Sequence, residues 1–439
     1  MRVKCSLVSM LIKPHDIPVK DISDDPLLLA LLAAPSRYGR FPDPNPVQAW
    51  SPPKDPDKLY LPYLPGLDLQ IHRHVPPASL VDSQEKNALQ PRPLLTEEDL
   101  KSVRQSQAVF ANPPLETDPP ASSETAQLMI TASIAIGARR GAQVVGCTIY
   151  PQADGEASVP FQAAAKIYDP LYYKFSNDSH PEDNTYEADK EYSTEAGAYE
   201  HLSRAGQTGG FAPEYYGSWT FRLPITIDGK AQTRPVRLIL MERLHGTTII
   251  NTRINHPETG LNAFHYPEEY RLEVLARAME GDVRLMQTGI ANKFGAFNIM
   301  LVSKESDPSA QELETVGGLV LPRIVLLDYS NAKMTTNTPP EQVFTRPSLP
   351  ENPLSIFFNF GLFIRFWGWT PSEWNRTSED AWLLERFNGE EERQRYLPID
   401  DDTARELSLD GHAAVEEGHG GPEASLASSN IIVPQRPGT

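Results

Sequence analysis

The chain has 439 residues, 40% of them hydrophobic, which suffices for one large or two ordinary domains with a substantial core. Its formal net charge of −18 argues against a nucleic-acid scaffold, because phosphate binding needs a clustered basic surface. Two cysteines, Cys5 and Cys147, give neither a disulfide framework nor a metal cluster. The apolar run 27–34 is shorter than the about 20 residues that span a bilayer. We therefore expect a soluble cytoplasmic or nuclear protein that binds neither nucleic acid nor membrane.

The N-terminal part of the chain is rich in proline, with 20 of the 41 prolines in residues 1–120. Proline lacks the backbone donor and fixes φ, so we predict a largely extended or disordered arm over 1–120, in which two short helices can form at 25–34 and 96–108. Two roles stay open: a flexible arm, or a docking segment that wraps the folded domain or a protein partner. Residues 399–439 are acidic and then contain Gly, Ser and Pro, which predicts a disordered tail.

The first part of the folded domain, residues 125–245, is predicted to be rich in β-strands. The expected strands are a pair around a Gly/Arg turn within 131–150, a third over 161–169, and two more near 215–227 and 236–242. A helix is expected from Asp189, because apolar side chains recur there on one face.

The second part, residues 246–398, is predicted to be mainly helical. Its strongest helix is EEYRLEVLARAMEGDVRLMQTG, whose apolar residues keep the helical period until Gly289 ends it. A strand pair follows, FNIMLVS and IVLLDYS, joined by a polar insertion. Two helices rich in aromatic residues close the domain, at 354–369 and 378–387. Strands first and helices second predict an α+β fold with two lobes.

Four polar residues are placed on these elements in a recognisable pattern. Lys166 ends the apolar run AAAKIYD, Glu195 lies on the helix 29 residues later, Asn298 opens one strand, and Asp328 ends the next. With these motifs residues 125–398 resemble the protein-kinase-like superfamily, most closely the kinase-like proteins of filamentous fungi and their aminoglycoside/choline phosphotransferase-like relatives. The resemblance implies a bilobal kinase-like fold, with a β-rich N-lobe over the first part and a short helical C-lobe over the second.

The resemblance also implies roles for these residues in binding ATP and Mg²⁺. In that family the strand lysine grips the α- and β-phosphates, and the helix glutamate orients it through an ion pair, which are the positions of Lys166 and Glu195. Asn298 and Asp328 take the metal positions, where an amide and a carboxylate supply the hard oxygen ligands that Mg²⁺ prefers.

Two further segments are weaker candidates for contact with the nucleotide. Met241, Glu242 and Leu244 resemble the end of a strand and the hinge that offers backbone groups to an adenine edge. The turn GARRGAQV has glycines at Gly137 and Gly141 but lacks the full G-x-G-x-x-G pattern. Its two arginines either contact phosphates or form an exposed hairpin tip.

One departure from the family pattern concerns catalysis. Lys293 stands five residues before Asn298, where the family places the aspartate that takes the proton of the acceptor hydroxyl. An ammonium group cannot accept that proton, although it can neutralise a phosphate. We therefore predict a nucleotide-binding pseudokinase with little or no phosphoryl transfer, which acts through interactions. Two alternatives stay open: an active ATP-dependent phosphotransferase on a protein or small-molecule hydroxyl, which needs another carboxylate, or a binding module whose cleft the N-terminal arm fills.

Overall fold

The computed structural model describes the following residues: 50–79, 95–117, 124–137, 140–152, 159–177, 180–303, 314–334, 348–358, 360–400 and 403–407. The expected helix at 25–34, residues 1–49 of the arm and all but a few residues of the predicted tail lie outside them. Within them the protein is a mixed α+β structure, which confirms the predicted class. None of the helices in these ranges is long and apolar enough to cross a membrane.

The part of the chain up to Glu242 is dominated by strands. Its elements are, in order, β1 (Asp68–Arg73), α1 (Glu97–Lys101), α2 (Gln105–Ala111), β2 (Thr125–Ala135), β3 (Gln143–Gln152), β4 (Phe161–Tyr168), a 3-10 helix (Pro170–Tyr172), β5 (Ser176–Asn177), β6 (His180–Pro181), α3 (Asn184–Arg204), β7 (Tyr215–Ile227) and β8 (Lys230–Glu242). Six of the strands pair antiparallel in a closed barrel, in the order β1-β2-β3-β4-β8-β7. The strands predicted within 131–150, at 161–169, and near 215–227 and 236–242 are all present.

Strand β1 closes the barrel between β2 and β7, although its residues belong to the segment predicted as a proline-rich arm. Ile71 lies opposite Ala126, and His72 lies opposite Thr220. Leu69 and Ile71 alternate with polar residues and are buried, which is the pattern of a strand with one face in a core. The strand is short, lies in a proline-rich stretch and pairs with strands that are far away in sequence. Local composition therefore does not predict it.

The hairpin between β7 and β8 follows directly from two residues. Asp228 and Gly229 have φ values of 51° and 77°, and Ile227 lies opposite Lys230. A two-residue turn with positive φ at both positions is the type I′ turn that matches the twist of paired strands, and Asp-Gly is among its preferred sequences. This local turn fixes the register of the two longest barrel strands.

The remaining elements are helices and short strands. They are β9 (Gly246–Thr248), a 3-10 helix (Ile249–Thr252), β10 (Ile254–His256), β11 (Gly260–Asn262), α4 (Glu268–Thr288), β12 (Ile290–Ala291), β13 (Ile299–Val302), β14 (Thr315–Val316), β15 (Leu319–Val320), β16 (Arg323–Leu326), β17 (Lys333–Met334), α5 (Pro353–Phe357), α6 (Leu362–Arg365), α7 (Arg376–Phe387) and α8 (Glu392–Arg395). The predicted strand pair is present, because β13 pairs antiparallel with β16, with Ile299 opposite Leu326.

Helix α4 confirms the strongest helix prediction. It runs to Thr288, and Gly289 ends it in the left-handed conformation at φ 92°. The aromatic helix predicted over 354–369 is wrong as a single element, because the chain breaks into α5 and α6 at Gly361, whose φ is 78°. The short helix expected at 96–108 is likewise divided, since Arg104 is extended between α1 and α2.

Buried side chains form two large hydrophobic clusters. One fills the barrel and includes Tyr63, Leu128, Ile167 and Phe221. The other surrounds α3 and α4, and fully buried Trp369 belongs to it. Helix α3 begins at Asn184, five residues before the predicted start, because the side chain of Asp183 caps it by accepting a hydrogen bond from Tyr186 N at 3.0 Å. The end of β4 lies beside this helix, where the polar residues of the candidate site meet.

Candidate functional site

Lys166 lies near the end of β4, in register with Val144 of β3 and Ile239 of β8. Its side chain is 13% exposed. The Nζ atom lies 2.5 Å from Glu195 Oε2 and 2.8 Å from Asp328 Oδ1. The predicted ion pair between the strand lysine and the helix glutamate is therefore present, and Asp328 joins it from the loop after β16. We call these three side chains the ionic triad.

Glu195 is held by donors on all sides. It is 1% exposed and lies in the middle of α3. Besides Lys166, the hydroxyl of Tyr168 donates to its Oε2 at 2.8 Å, and the backbone N–H of Tyr329 donates to its Oε1 at 3.3 Å. Burial raises the pKa of this carboxyl, and Lys166 opposes that rise. Three donors around one carboxylate fix its position and, through it, the position of Lys166.

The charges of the triad leave one negative charge uncompensated when all three groups are ionised. Burial lowers the pKa of Lys166, but the two carboxylates raise it by more, so the amine stays protonated. Burial raises the pKa of Asp328, and Lys166 and Ser330 outweigh that effect, so its pKa lies below the usual value. One ammonium group against two carboxylates favours the approach of additional positive charge.

Asp328 has a strained backbone and an accessible side chain. Its φ is 60°, a left-handed value that residues other than glycine adopt rarely. Its side chain is 48% exposed, in contrast to its two partners in the triad. Backbone strain of this kind costs of order 1–3 kcal/mol and tends to occur at functional positions. The conformation turns the carboxylate from the end of a buried strand toward both Lys166 and solvent.

Asn298 comes close to Asp328 through the pairing of β13 with β16. The carbonyl of Asn298 accepts a hydrogen bond from Leu327 N at 2.7 Å, one residue before Asp328. The side-chain amide donates from Nδ2 to the carbonyl of Lys293 at 3.3 Å, and this bond leaves the amide oxygen available to a ligand. A half-exposed carboxylate and an amide oxygen at neighbouring strand ends fit the hard oxygen ligands of Mg²⁺. The structure thus brings the two predicted metal positions together.

Lys293 is exposed on the loop between β12 and β13, beside Asn298. It is also one of the residues that line a cavity below this loop. Residues 292–297 contain no carboxylate, so no general base stands in this part of the loop.

The glycine turn between β2 and β3 is fastened by one side chain. Gln143 is fully buried and bonds three backbone groups: it accepts from Gly137 N at 2.7 Å and donates to the carbonyls of Gly137 and Gly141 at 2.9 and 2.8 Å. Gly141 has φ 77°, and a Cβ there would meet Tyr173 and Glu191 at 3.4 and 3.6 Å. The described ends of the turn are therefore held in one shape near α3; Arg139 lies outside the described residues.

The hinge candidates are divided between the sheet and the segment after it. Met241 and Glu242 still belong to β8, and the backbone N–H of Glu242 donates to the carbonyl of Glu214 at 2.8 Å. The carboxylate of Glu242 accepts two hydrogen bonds from Arg323, at 2.6 and 2.8 Å. Leu244 follows the strand and is half-buried. Of the three predicted residues, Leu244 therefore has its backbone outside the strand pairing.

Two polar residues that line the same cavity as Lys293 were not predicted from the sequence. Asp282 on α4 is 5% exposed, and Asn292 has buried side-chain atoms. Both line a cavity of about 500 Å³, which we call the α4–α5 cavity. A signal for Asp282 was present in the sequence, because it lies between Met279 and Val283 on the apolar face of the predicted helix.

Within the described part of the chain, no three His, Cys, Asp or Glu side chains are grouped to hold a metal ion, so a metal here depends on the aspartate, the amide and oxygens of a ligand. No protein-family model matches the chain, and no curated protein sequence matches it.

Proposed function

We propose that this protein is a kinase-like nucleotide-binding protein with a bilobal fold, which binds ATP with Mg²⁺ beside the ionic triad and transfers phosphate poorly or not at all. The observation that carries the proposal is the position of Lys166, whose ammonium lies within hydrogen-bond distance of both Glu195 and Asp328. Three distant segments of the chain supply these groups, and a lysine oriented by a glutamate beside a metal-binding aspartate suits a triphosphate.

Each member of the triad has a distinct part in this proposal. Lys166 binds the phosphate oxygens, and Glu195 holds its amine in place. Asp328 and Asn298 hold the Mg²⁺, since one carboxylate and one amide suffice for an ion that keeps several waters and phosphate oxygens. The bound ion would neutralise charge on the phosphates. The uncompensated negative charge of the triad favours ATP only together with a cation, so binding should require the metal.

Lys293 is the reason to expect weak transfer. General-base catalysis contributes roughly 10²–10⁴-fold to rate, and the ammonium of Lys293 cannot provide it. The protein would then act through interactions, and the arm is the segment proposed to bind a protein partner. Residues 1–49 of that arm lie outside the described structure, so its part in filling the cleft or binding a partner stays a prediction.

One observation favours the alternative of an active phosphotransferase on a protein or small-molecule hydroxyl. That alternative requires a carboxylate on the acceptor side, and Asp282 lines the same cavity as Lys293 and Asn298. A transfer assay on the full chain decides between the two functions. The pseudokinase predicts little or no turnover by the wild type, and the alternative predicts clear turnover that Asp282→Asn abolishes.

Thermal unfolding with ATP and Mg²⁺ tests the proposed nucleotide site. A ligand that binds only the folded state at 100 times its Kd stabilises it by about 2.7 kcal/mol. We expect this stabilisation for the wild type with Mg²⁺, and little without the metal. Asp328→Asn should abolish it, because the variant loses the carboxylate ligand.

The matched control is Asp68→Asn, which removes an exposed carboxylate at the start of β1 and should respond to ATP as the wild type does. A shift that persists in Asp328→Asn would refute the assignment of the metal position. Absence of any shift in the wild type would refute nucleotide binding.

A further inference from the structure

The α4–α5 cavity has the size and the walls of a small-molecule site. Its volume of about 500 Å³ lies within the roughly 300–1,000 Å³ typical of ligand pockets. Met286 of α4, Phe294 of the loop, Phe357 of α5 and Phe360 supply apolar walls. Phe294 packs against Phe357 and Phe360 with ring centroids 4.8 and 6.1 Å apart. Aromatic walls of this kind suit a flat, apolar ligand ring.

Two polar groups in these apolar walls have unused hydrogen-bonding capacity. Asp282 is 5% exposed, and its Oδ1 has no hydrogen-bond partner among the described residues. Both side-chain atoms of Asn292, Oδ1 and Nδ2, are also buried without a partner in that part of the chain. Leaving such a group unpaired costs about 1–3 kcal/mol, and buried polar groups nearly always find a partner. Both residues line the cavity, so a molecule inside it is a candidate source of the missing partners.

The chemistry of these groups defines the head of the ligand. The carboxyl oxygen of Asp282 accepts a hydrogen bond, and the amide of Asn292 both donates and accepts. A primary amide has the complementary set of two donors and one acceptor. Burial raises the pKa of Asp282 to about 7, and a neutral carboxyl also donates from its O–H, which the carbonyl oxygen of an uncharged amide accepts.

We propose that the α4–α5 cavity is a binding site for a small aromatic molecule that carries an uncharged amide head. The ring packs against Phe294, Phe357 and Phe360, and the amide pairs with Asp282 and Asn292. The site opens beside Lys293, but it does not depend on nucleotide binding. It gives the protein a second ligand site, next to the predicted metal position.

Ligand-observed NMR with the full chain tests this proposal, with benzamide as the probe and no nucleotide present. Toluene keeps the ring without the head, and acetamide keeps the head without the ring. We expect benzamide to bind at least tenfold more tightly than either. Asp282→Leu and Asn292→Leu, which replace each polar side chain by an apolar one of similar size, should each weaken benzamide binding at least tenfold. Asp68→Asn should leave it unchanged.

Several results would overturn the proposal. Wild-type protein that does not bind benzamide would refute the proposed ligand class. Equal binding of benzamide and toluene would show that the polar groups are not used. Unchanged affinity in both leucine variants would place the probe elsewhere on the molecule. Two variants on separate elements, α4 and the loop, keep the test decisive if one of them fails to fold.

Discussion

We predict a pH-dependent effect of replacing Asp282 by asparagine. The free energy of unfolding of Asp282→Asn, measured relative to the wild type, should be higher at pH 8 than at pH 5. Asp282 is buried on α4, and its Oδ1 has no partner among the described residues. Burial raises its pKa from 3.8 to about 7. The folded protein therefore binds this proton more tightly than the unfolded chain does. The resulting stabilisation is complete below about pH 4, is lost as the pH rises through 7, and is absent above it.

The magnitude follows from the shift. A difference of about 3 pKa units corresponds to about 4 kcal/mol at 1.36 kcal/mol per unit. Between pH 5 and pH 8 the wild type should lose about 2.5 kcal/mol that Asp282→Asn retains, because asparagine does not titrate. Other titrating groups are shared by the two proteins and cancel in the comparison.

Urea unfolding of both proteins at pH 5 and pH 8 measures this difference. The free energy of unfolding is obtained at each pH by linear extrapolation, and the variant is compared with the wild type at the same pH. A difference between the two proteins that stays constant within about 0.5 kcal/mol from pH 5 to pH 8 would refute the reasoning. It would mean that the carboxyl of Asp282 is hydrated or paired in the folded protein.

Two further substitutions test the packing of the barrel and of the sheet that contains β9 and β13, both by urea unfolding at pH 7. Asp169→Asn should destabilise the protein by about 3–5 kcal/mol, because Asp169 is fully buried in a bidentate pair with Arg234 and the substitution leaves the buried charge of Arg234 unpaired. A decrease in the free energy of unfolding of less than about 1 kcal/mol would contradict the buried pair. Gly246→Ala should cost about 1–3 kcal/mol, because its Cβ would lie 2.2 Å from the carbonyl oxygen of Leu301. Gly210→Ala, where a Cβ meets nothing within 4 Å, is the matched control and should change stability by less than about 0.5 kcal/mol.

The elements that carry the candidate site could be predicted from the sequence, but not all of its contacts. Lys166 lies near the end of an apolar strand, Asp328 follows another, and Glu195 lies on a helix of clear period, so each element could be predicted from neighbouring residues. The resemblance supplied the expectation of an ion pair, which the distance of 2.5 Å confirms. The roles of these residues in holding a nucleotide and a metal stay predictions. Asp282 was overlooked because a helical period identifies the buried face without revealing whether a polar residue on it has a partner.

The sequence by itself determined the local elements, because their signals lie within a few residues of one another. The Asp228–Gly229 turn, the apolar face of α4 and its end at Gly289 all belong to this class. Only the tertiary structure decided that β1 closes a barrel, because its partners on β2 and β7 are 50 or more residues away. Alternating burial marks a strand, but it does not select the strand that pairs with it. The α4–α5 cavity likewise exists only where a helix, a loop and the aromatic residues of α5 are brought together.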